Sequence, residues 1–392
     1  MSSPPPPQAP PDDPLPPLRD AIADLDRALL ELLRRRMEIA EQVGRIKAER
    51  SADIVVRDVE HKVLQRARQH AESCGVSEEV LEAVFRAIIR GSIERQHRVG
   101  VTLRARHGGR LLIVGAAGGM GGWFRGFFDL AGHRCDLVDP SFGSLPPEAG
   151  RYGSLAGLDL GVYTAILVAV PLARTASVVD ELVGLIDRTD LIGAAERRPS
   201  IVEISSIKAP LTPVLERARH AGVRVLAVHP MFGPGKSRYE ALTFVLAAQH
   251  EAPAGDADRE HAEVERLLSH PYTNLVTVPF PHHDRLMGWL LGLSHLTNLL
   301  FGAALARSGV APAELHACAS TTFLRQAATA RSVLAEDSDL YLDIQRLNPY
   351  RTDVYKAARE ALAHLEGLVD ANDRGGWADA LAGARHTLPA EP

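Results

Sequence analysis

Leu18, Ile22, Leu25, Leu29, Leu32, Leu33, Ile39, Val43 and Ile46 recur every three or four residues, with polar positions between them. That is the one-face repeat of an α-helix, and no proline interrupts it, so the spacing predicts one unusually long helix. The same period runs from about Val56 to Glu72. Cys74-Gly75 ends it, and Ser77 opens a third helix reaching about His97. Helices of such unequal length cannot wrap a core alone, so residues 18–99 are expected to dimerise or dock. Ahead of them, residues 1–17 are rich in proline, which fixes φ and removes amide donors; the expectation there is a disordered tail.

From Arg110 the pattern changes. Short apolar runs at Leu111–Val114, Cys135–Val138, Ala165–Val170, Ser200–Ile204 and Val223–Val228 alternate with helical stretches. Buried strands joined by helices predict a parallel α/β sheet over residues 109–280. Residues 281–392 return to long helices. Within them, Leu286–Leu305 is almost wholly apolar but carries Ser294, His295 and Asn298, and reads as a buried helix rather than a membrane span. Residues 99–109, basic and glycine-containing, read as a linker.

Composition narrows the classes of function. Of 392 residues, 46% are apolar and 24% charged, as in soluble globular chains. A net charge of -5 offers no broad attraction to nucleic acid or to an anionic membrane, so an anionic substrate must be held by locally placed Arg and Lys. Cys74, Cys135 and Cys318 are scattered and form no CxxC, which fits a reducing cytoplasm and predicts no metal site.

Strand Leu111–Val114 runs into Gly115-Ala116-Ala117-Gly118-Gly119-Met120-Gly121 and an amphipathic helix. Glycines there let the backbone approach a pyrophosphate, which then sits on a helix N-terminus. Asp139 ends the next strand, where an acid accepts hydrogen bonds from an adenosine ribose and repels the extra phosphate of NADP. Gly115, Gly118, Gly121 and Asp139 therefore point to a Rossmann-type domain that takes NAD. The spacing is GxxGxxG rather than the stricter GxGxxG, and a plain strand-to-helix turn reads the same way locally.

Strand Val223–Val228 ends at His229, where ligands bind in open α/β sheets; an imidazole there suits removal of a hydroxyl proton during hydride transfer. Ser205-Ser206-Ile207-Lys208 follows another strand. Ser206 is a candidate to touch substrate or His229, and Lys208 to lie near an anion; a helix N-cap is the plainer reading. His283 and His295 share a later helix, and His295 reads as a core histidine. Arg325 and Arg331 suit bidentate carboxylate binding. In the helical module, Arg36 and Lys47 lie about three turns apart on one face. Ser92 and Gln96, one turn apart, share another face.

The order of glycine-rich turn, Ala169-Val170-Pro171, Ser206-Ile207-Lys208, His229-Pro230-Met231-Phe232-Gly233-Pro234 and His283-Asp284 resembles the prephenate dehydrogenase family. It is especially similar to the bifunctional T-proteins, which carry an N-terminal chorismate mutase. Leu18-Arg19, Arg36, Val43-Gly44, Lys47, Arg57-Asp58, Ser92 and Gln96 fall in order on the all-helical mutase pattern. The resemblance implies three parts: an all-α chorismate mutase module, an α/β Rossmann-type domain and an all-α C-terminal dimerisation domain. It implies rearrangement of chorismate to prephenate, then oxidative decarboxylation of prephenate to 4-hydroxyphenylpyruvate with NAD.

Residue roles follow from the same resemblance. Lys47 and Gln96 flank the ether oxygen of chorismate, and Arg19 reaches the partner's site in an intertwined homodimer. Arg36, Asp58, Glu60 and Ser92 complete the substrate contacts. Ser206 and His229 surround the ring hydroxyl, His283 lies near the pocket, Arg331 rather than Arg325 takes the carboxylate, and Pro171 lines the cofactor site. The family has Arg-Glu shortly after Arg-Asp, where an ungapped reading puts His61-Lys62 here; Glu60 is the preferred substitute. That departure leaves two alternatives, a 4-amino-4-deoxy analogue as substrate or an inactive regulatory mutase-like module; a separate reading is an unrelated two-domain NAD dehydrogenase acting on a hydroxy acid. Tyrosine feedback is a further expectation.

Overall fold

The computed structural model describes residues 15–49, 62–69, 75–104, 109–144, 148–188, 198–249, 256–270 and 272–388. Asp58 and Glu60 lie outside the described residues, as does most of the proline-rich stretch.

The long helix forms as its apolar spacing dictates. Helix α1 (Leu15–Glu49) takes Pro16 and Pro17 into its first turn, where a missing amide donor costs nothing. It therefore starts three residues inside the expected tail. A short helix, α2 (residues 62–69), leads on to α3 (Glu78–Arg104), which packs along α1. Helix α3 continues through much of the expected linker. Ala40 is buried and Leu33 and Val43 are half-buried, but much of the apolar stripe of α1 is left open: Leu18, Ile22, Leu25, Leu29, Leu32 and Ile39 are all exposed.

The second unit is one eight-stranded sheet. Its strands are β1 (Arg110–Val114), β2 (Arg134–Val138), β3 (Arg151–Tyr152), β4 (Ala165–Val168), β5 (Ser200–Glu203), β6 (Val225–Pro230), β7 (Leu242–Ala248) and β8 (Thr273–Pro279). Their order is β3-β2-β1-β4-β5-β6-β7-β8. Strands β1 to β6 are parallel, as the alternating pattern predicts. Strand β7, which none of the five apolar runs covers, is antiparallel to β6, with β8 parallel to β7.

Period-two alternation splits the core between the faces of the sheet. Leu111 and Ile113 face α4 (Gly119–Leu130), whose Trp123, Phe124, Phe127 and Phe128 form an aromatic layer with Phe244. Leu112 and Val114 face α5 (Leu172–Arg188) and α6 (Thr212–His220) through Val179, Leu182, Ile186 and Leu215.

The C-terminal helices begin with α8 (Phe280–Met287), which runs through a π-helical turn (Gly288–Leu293) into α9 (Ser294–Arg307). Helices α10 (Pro312–Ala317), α11 (Thr321–Leu334), α12 (Ser338–Leu347), α13 (Arg351–Asp370) and α14 (Arg374–Thr387) follow, with α7 (Asp256–Leu267) back on the sheet. Leu172, Ile207, Met287 and Ile344 bind this unit to the α/β unit. The expectation that Leu286–Leu305 is a buried helix is not met. Phe280–Arg307 is long and apolar enough to cross a membrane by length and composition, yet only 11% of its most apolar window is buried. Trp289, Leu290 and Leu300 are exposed. A helix apolar on all sides has faces to spare, and one chain covers only some of them.

Candidate functional site

The glycine-rich turn has the shape its residues imply. Gly115 adopts φ +83°, and a Cβ there would stand 2.4 Å from the carbonyl oxygen of Ala169. A Cβ on Gly121 would meet Gly115 O at 2.2 Å. Only glycine fits either position. The result is a bare backbone cradle at the N-terminus of α4, which suits a pyrophosphate. Gly118 is the N-cap residue of α4.

Asp139 stands beside this turn at the end of β2. Its carboxylate accepts from Ala117 N at 3.2 Å, Ser141 N at 3.0 Å and Ser141 Oγ at 2.7 Å. Burial pushes its pKa up, but the bonds from Ser141 and Ala117 outweigh that and hold it below the usual aspartate value. It remains an anion at neutral pH, and the cradle and acid together fit NAD. Pro171 is exposed just after β4, where its carbonyl accepts from Arg174 N as α5 starts.

His229 lies on β6, buried, in register with Val245 of β7. The chain beyond it is latched to the glycine-rich helix. Trp123 Nε1 donates to Lys236 O at 2.7 Å, and Arg238 Nε donates to Trp123 O at 3.0 Å. Pro234 packs so closely on Gly119 that a Cβ at 119 would come within 3.0 Å of the proline ring. The His229–Pro234 segment therefore abuts the dinucleotide cradle.

His229 Nδ1 lies 3.1 Å from His283 Nε2, and His283 Nδ1 lies 2.7 Å from Asp284 Oδ1. Burial drives His229 well below the ordinary imidazole pKa, reinforced by His283 and Lys208. Burial also lowers His283, against the pull of Asp284. Both rings are neutral near pH 7. Sequence reasoning singled out His283 but passed over Asp284, although the two are adjacent.

Lys208 does not serve a substrate anion. It is fully buried, paired with Glu203, and donates to Ser205 O at 2.8 Å and Val228 O at 2.9 Å. A buried cation needs this many acceptors, and its task is to tie β5 to β6. Ser205 is bound to Glu203, while Ser206 is half-buried and makes no hydrogen bond to His229 among the described residues. His295 is half-buried against Tyr341, with Nδ1 enclosed and unpartnered; burial pushes its pKa down to about 4. Arg325 and Arg331 both sit on α11 with exposed side chains. The end of that helix approaches the His229–Pro234 segment: the space beside Gly233 reaches to within 3.9 Å of Glu336 Oε1.

In the helical unit, α1 and α3 bring four of the expected residues to one crossing. Arg36 donates to Ile88 O at 3.1 Å and to Ser92 Oγ. Gly44 touches Gln96 directly, and Lys47 follows Gly44 by one turn. Gln96 Oε1 is buried without a hydrogen-bond partner, an acceptor held out of water at the place where an ether-oxygen contact is expected. Arg19 is exposed near the start of α1, away from this crossing. The two units touch through an ion pair, Arg90 of α3 to Glu240 in the loop after β6, at 3.1 Å.

Comparison with known proteins bears on each unit. Residues 18–97 match the family described as chorismate mutase type II. The T-protein of Enterobacter agglomerans is 29% identical over 358 residues, spanning 91% of this chain and 88% of the relative. The T-protein of Haemophilus influenzae is 25% identical over 365 residues, spanning 93% and 89%. In fold, the chain is similar to the prephenate dehydrogenase of Aquifex aeolicus crystallised with hydroxyphenyl propionate and NAD+. The TM-score is 0.54 at 16% identity, covering 71% of this chain and 96% of that one.

Proposed function

We propose, from the premise that this chain belongs to the bifunctional chorismate mutase/prephenate dehydrogenase (T-protein) family, that it performs both reactions of tyrosine synthesis. The helical unit rearranges chorismate to prephenate. The α/β unit and the C-terminal helices then convert prephenate to 4-hydroxyphenylpyruvate. The observation that carries the dehydrogenase reading is the contact of Pro234 with Gly119, which sets the strand end bearing His229 against the cofactor cradle.

When bound, NAD supplies the hydride acceptor. Gly115, Gly118 and Gly121 leave room for its pyrophosphate, Asp139 takes the ribose, and Pro171 borders the site. His229, neutral at working pH, accepts the proton of the ring hydroxyl. Ser206 orients that hydroxyl, and Arg331, ahead of Arg325, holds a substrate carboxylate. Loss of the ring carboxylate as CO2 leaves an aromatic product and makes the step effectively irreversible.

The mutase reaction is pericyclic and needs no nucleophile. What it needs is a compact substrate conformer and positive charge beside the ether oxygen. Arg36, held by Ser92, binds a carboxylate. Lys47 and Gln96 address the ether oxygen, with Gln96 serving through its amide donor. Asp58 and Glu60 take the hydroxyl end of the substrate.

A second copy of the chain is the natural cover for the open apolar stripe of α1 and for the exposed face of α8–α9. In that homodimer Arg19 reaches across to the partner's mutase site. A cytoplasmic location and tyrosine feedback complete the proposal.

The test is steady-state assay of the purified protein. Chorismate without NAD is expected to yield prephenate, and prephenate with NAD to yield 4-hydroxyphenylpyruvate and NADH. Turnover of 4-amino-4-deoxy analogues in preference to both would overturn the substrate assignment. A dehydrogenase with no mutase activity would reduce the helical unit to a dimerisation or regulatory part.

A further inference from the structure

We propose that Asp284 is a positioning residue for the dehydrogenase: acting through His283, it dictates which nitrogen of His229 carries the proton. This rests on the reading of His229 as proton acceptor, and extends it to a residue that touches neither substrate nor cofactor.

Two of the donors around Asp284 cannot be reversed. Asp284 Oδ1 accepts the backbone N–H of Lys208 at 2.8 Å, and Oδ2 accepts that of Ala209 at 2.7 Å. Two fixed amide donors hold this carboxylate as an acceptor on both oxygens. The third contact of Asp284, His283 Nδ1 at 2.7 Å, must then also be a donor. A neutral imidazole with its proton on Nδ1 has a lone pair on Nε2. That lone pair faces His229 Nδ1 at 3.1 Å, so His229 must donate there. A neutral His229 with its proton on Nδ1 has a bare Nε2, which is the nitrogen able to take a proton from a substrate hydroxyl. The whole string of tautomers is thus set by two backbone amides at the start of α6's leading turn.

The surroundings keep this order. Lys208 and Glu203 are the other charged groups beside the pair, and they are occupied with each other and with Ser205 and Val228. Asn348 Nδ2 donates to the Asp284 carbonyl at 2.8 Å and holds the helix turn that carries both His283 and Asp284. When the O–H bond of the substrate breaks and an N–H bond forms at His229 Nε2, the new imidazolium keeps its Nδ1–H on His283. The Asp284 carboxylate lies one ring beyond and stabilises the charge, and no second proton has to move.

The decisive variant is D284N. An amide cannot accept on both sides. Its NH2 group must face one backbone N–H, that of Ala209 if the oxygen stays toward His283 or that of Lys208 if it turns away. Either way the carboxylate that balances the imidazolium is gone, and in the second orientation the NH2 donates to His283 Nδ1, which pushes the His283 proton to Nε2 and the His229 proton to its own Nε2. The reactive nitrogen is then blocked. A carboxylate-to-amide change that leaves geometry intact but enforces the wrong tautomer lowers kcat about 10⁴-fold in the Ser-His-Asp triad of serine proteases. The expected result here is a kcat loss of at least about a hundredfold, with KM for prephenate and NAD affinity changed less than about threefold.

Ring-nitrogen NMR of 15N-histidine-labelled enzyme gives the readout that a merely structural role would not move. His229 is expected to be protonated on Nδ1 in the wild type, with the Nε2 tautomer appearing in D284N. Retention of kcat within about threefold in D284N overturns the proposal, as does a kcat loss with the His229 tautomer unchanged. If D284N does not fold, H283N keeps the Asp284 contacts to the Lys208 and Ala209 amides while cutting the relay. Loss of kcat in folded H283N supports the proposal, and wild-type kcat overturns it. H229N is run alongside: full activity there would refute the proton-acceptor reading itself, a failure separate from that of Asp284.

Discussion

Gly44 and Gln96 stand in direct backbone contact where the two long helices of the N-terminal unit pack together. A Cβ at position 44 would stand 2.7 Å from both the Cα and the carbonyl oxygen of Gln96. Those are backbone atoms, so a side chain at 44 must push α1 and α3 apart. G44A should therefore destabilise the helical unit by about 1–3 kcal/mol and displace Gln96 from Lys47. The expected outcome is a large loss of mutase activity with the dehydrogenase kept, measured by paired assays and thermal melting. Normal mutase turnover in G44A would contradict this geometry.

Lys47 lies one turn beyond that crossing. K47A removes the cation assigned to the ether oxygen, and loss of one such transition-state contact costs about 10²–10³ in kcat. Prephenate formation from chorismate should fall by that factor while oxidation of prephenate is unchanged. Surviving mutase activity would place the charge elsewhere.

His229→Asn removes the imidazole proposed as proton acceptor and leaves the cradle at Gly115 and Gly121 untouched. Dehydrogenase kcat should fall about 10²–10⁴-fold, with NAD affinity, read by fluorescence titration, within a few-fold of wild type. An equal loss of NAD affinity would argue for a cofactor-binding role instead.

Asp139 is the residue proposed to set the choice of cofactor, through its charge. D139S removes the anion that repels a 2′-phosphate and also gives up an acceptor for the ribose. The ratio of kcat/KM for NADP over NAD should rise on the order of tenfold or more. No change in that ratio would detach Asp139 from the ribose.

Stability should depend on pH through the buried histidines. His229, His283 and His295 all have folded-state pKa values below the unfolded value of 6.5, and that of His295 is about 4. Below pH 6.5 the unfolded chain binds more protons than the folded one, so stability is full above that pH and is lost as pH falls. For His295 the loss accumulates between 6.5 and about 4. Urea midpoints measured from pH 7.5 to 4.5 should decline, and H295N should decline less steeply. Identical slopes would mean that His295 contributes nothing to this linkage.

Much of this arrangement was legible in the residues. Strands β1, β2, β4, β5 and β6 announced themselves because both faces of the sheet are covered, which demands unbroken apolar runs such as Leu111–Val114. Strand β8 did not: Thr273–Pro279 lies at the sheet edge with none of its residues fully buried, so it lacks the unbroken apolar run of an inner strand. The reversed direction of β7 is a property of pairing, and Leu242–Ala248 reads the same either way. Leu286–Leu305 misled for a related reason, since an apolar helix suits a core and an interface equally well. His229 and His283 were visible as single residues. Their contact, and the part played by Asp284, join positions 54 residues apart in the chain, and only the folded chain brings them together.

His229 sits inside a strand that is paired on both sides. Strand β6 is bonded to β5 on one side and to β7 on the other, and Met231 N still donates to Thr243 O at 2.9 Å just past the histidine. Local fraying cannot release this backbone; the sheet itself has to come apart. Amide protons along 225–231 should exchange with solvent only as slowly as the whole α/β unit opens. The imidazole proposed to receive the proton is thus anchored in backbone expected to exchange slowly, and any adjustment to an arriving substrate falls to the helices facing it.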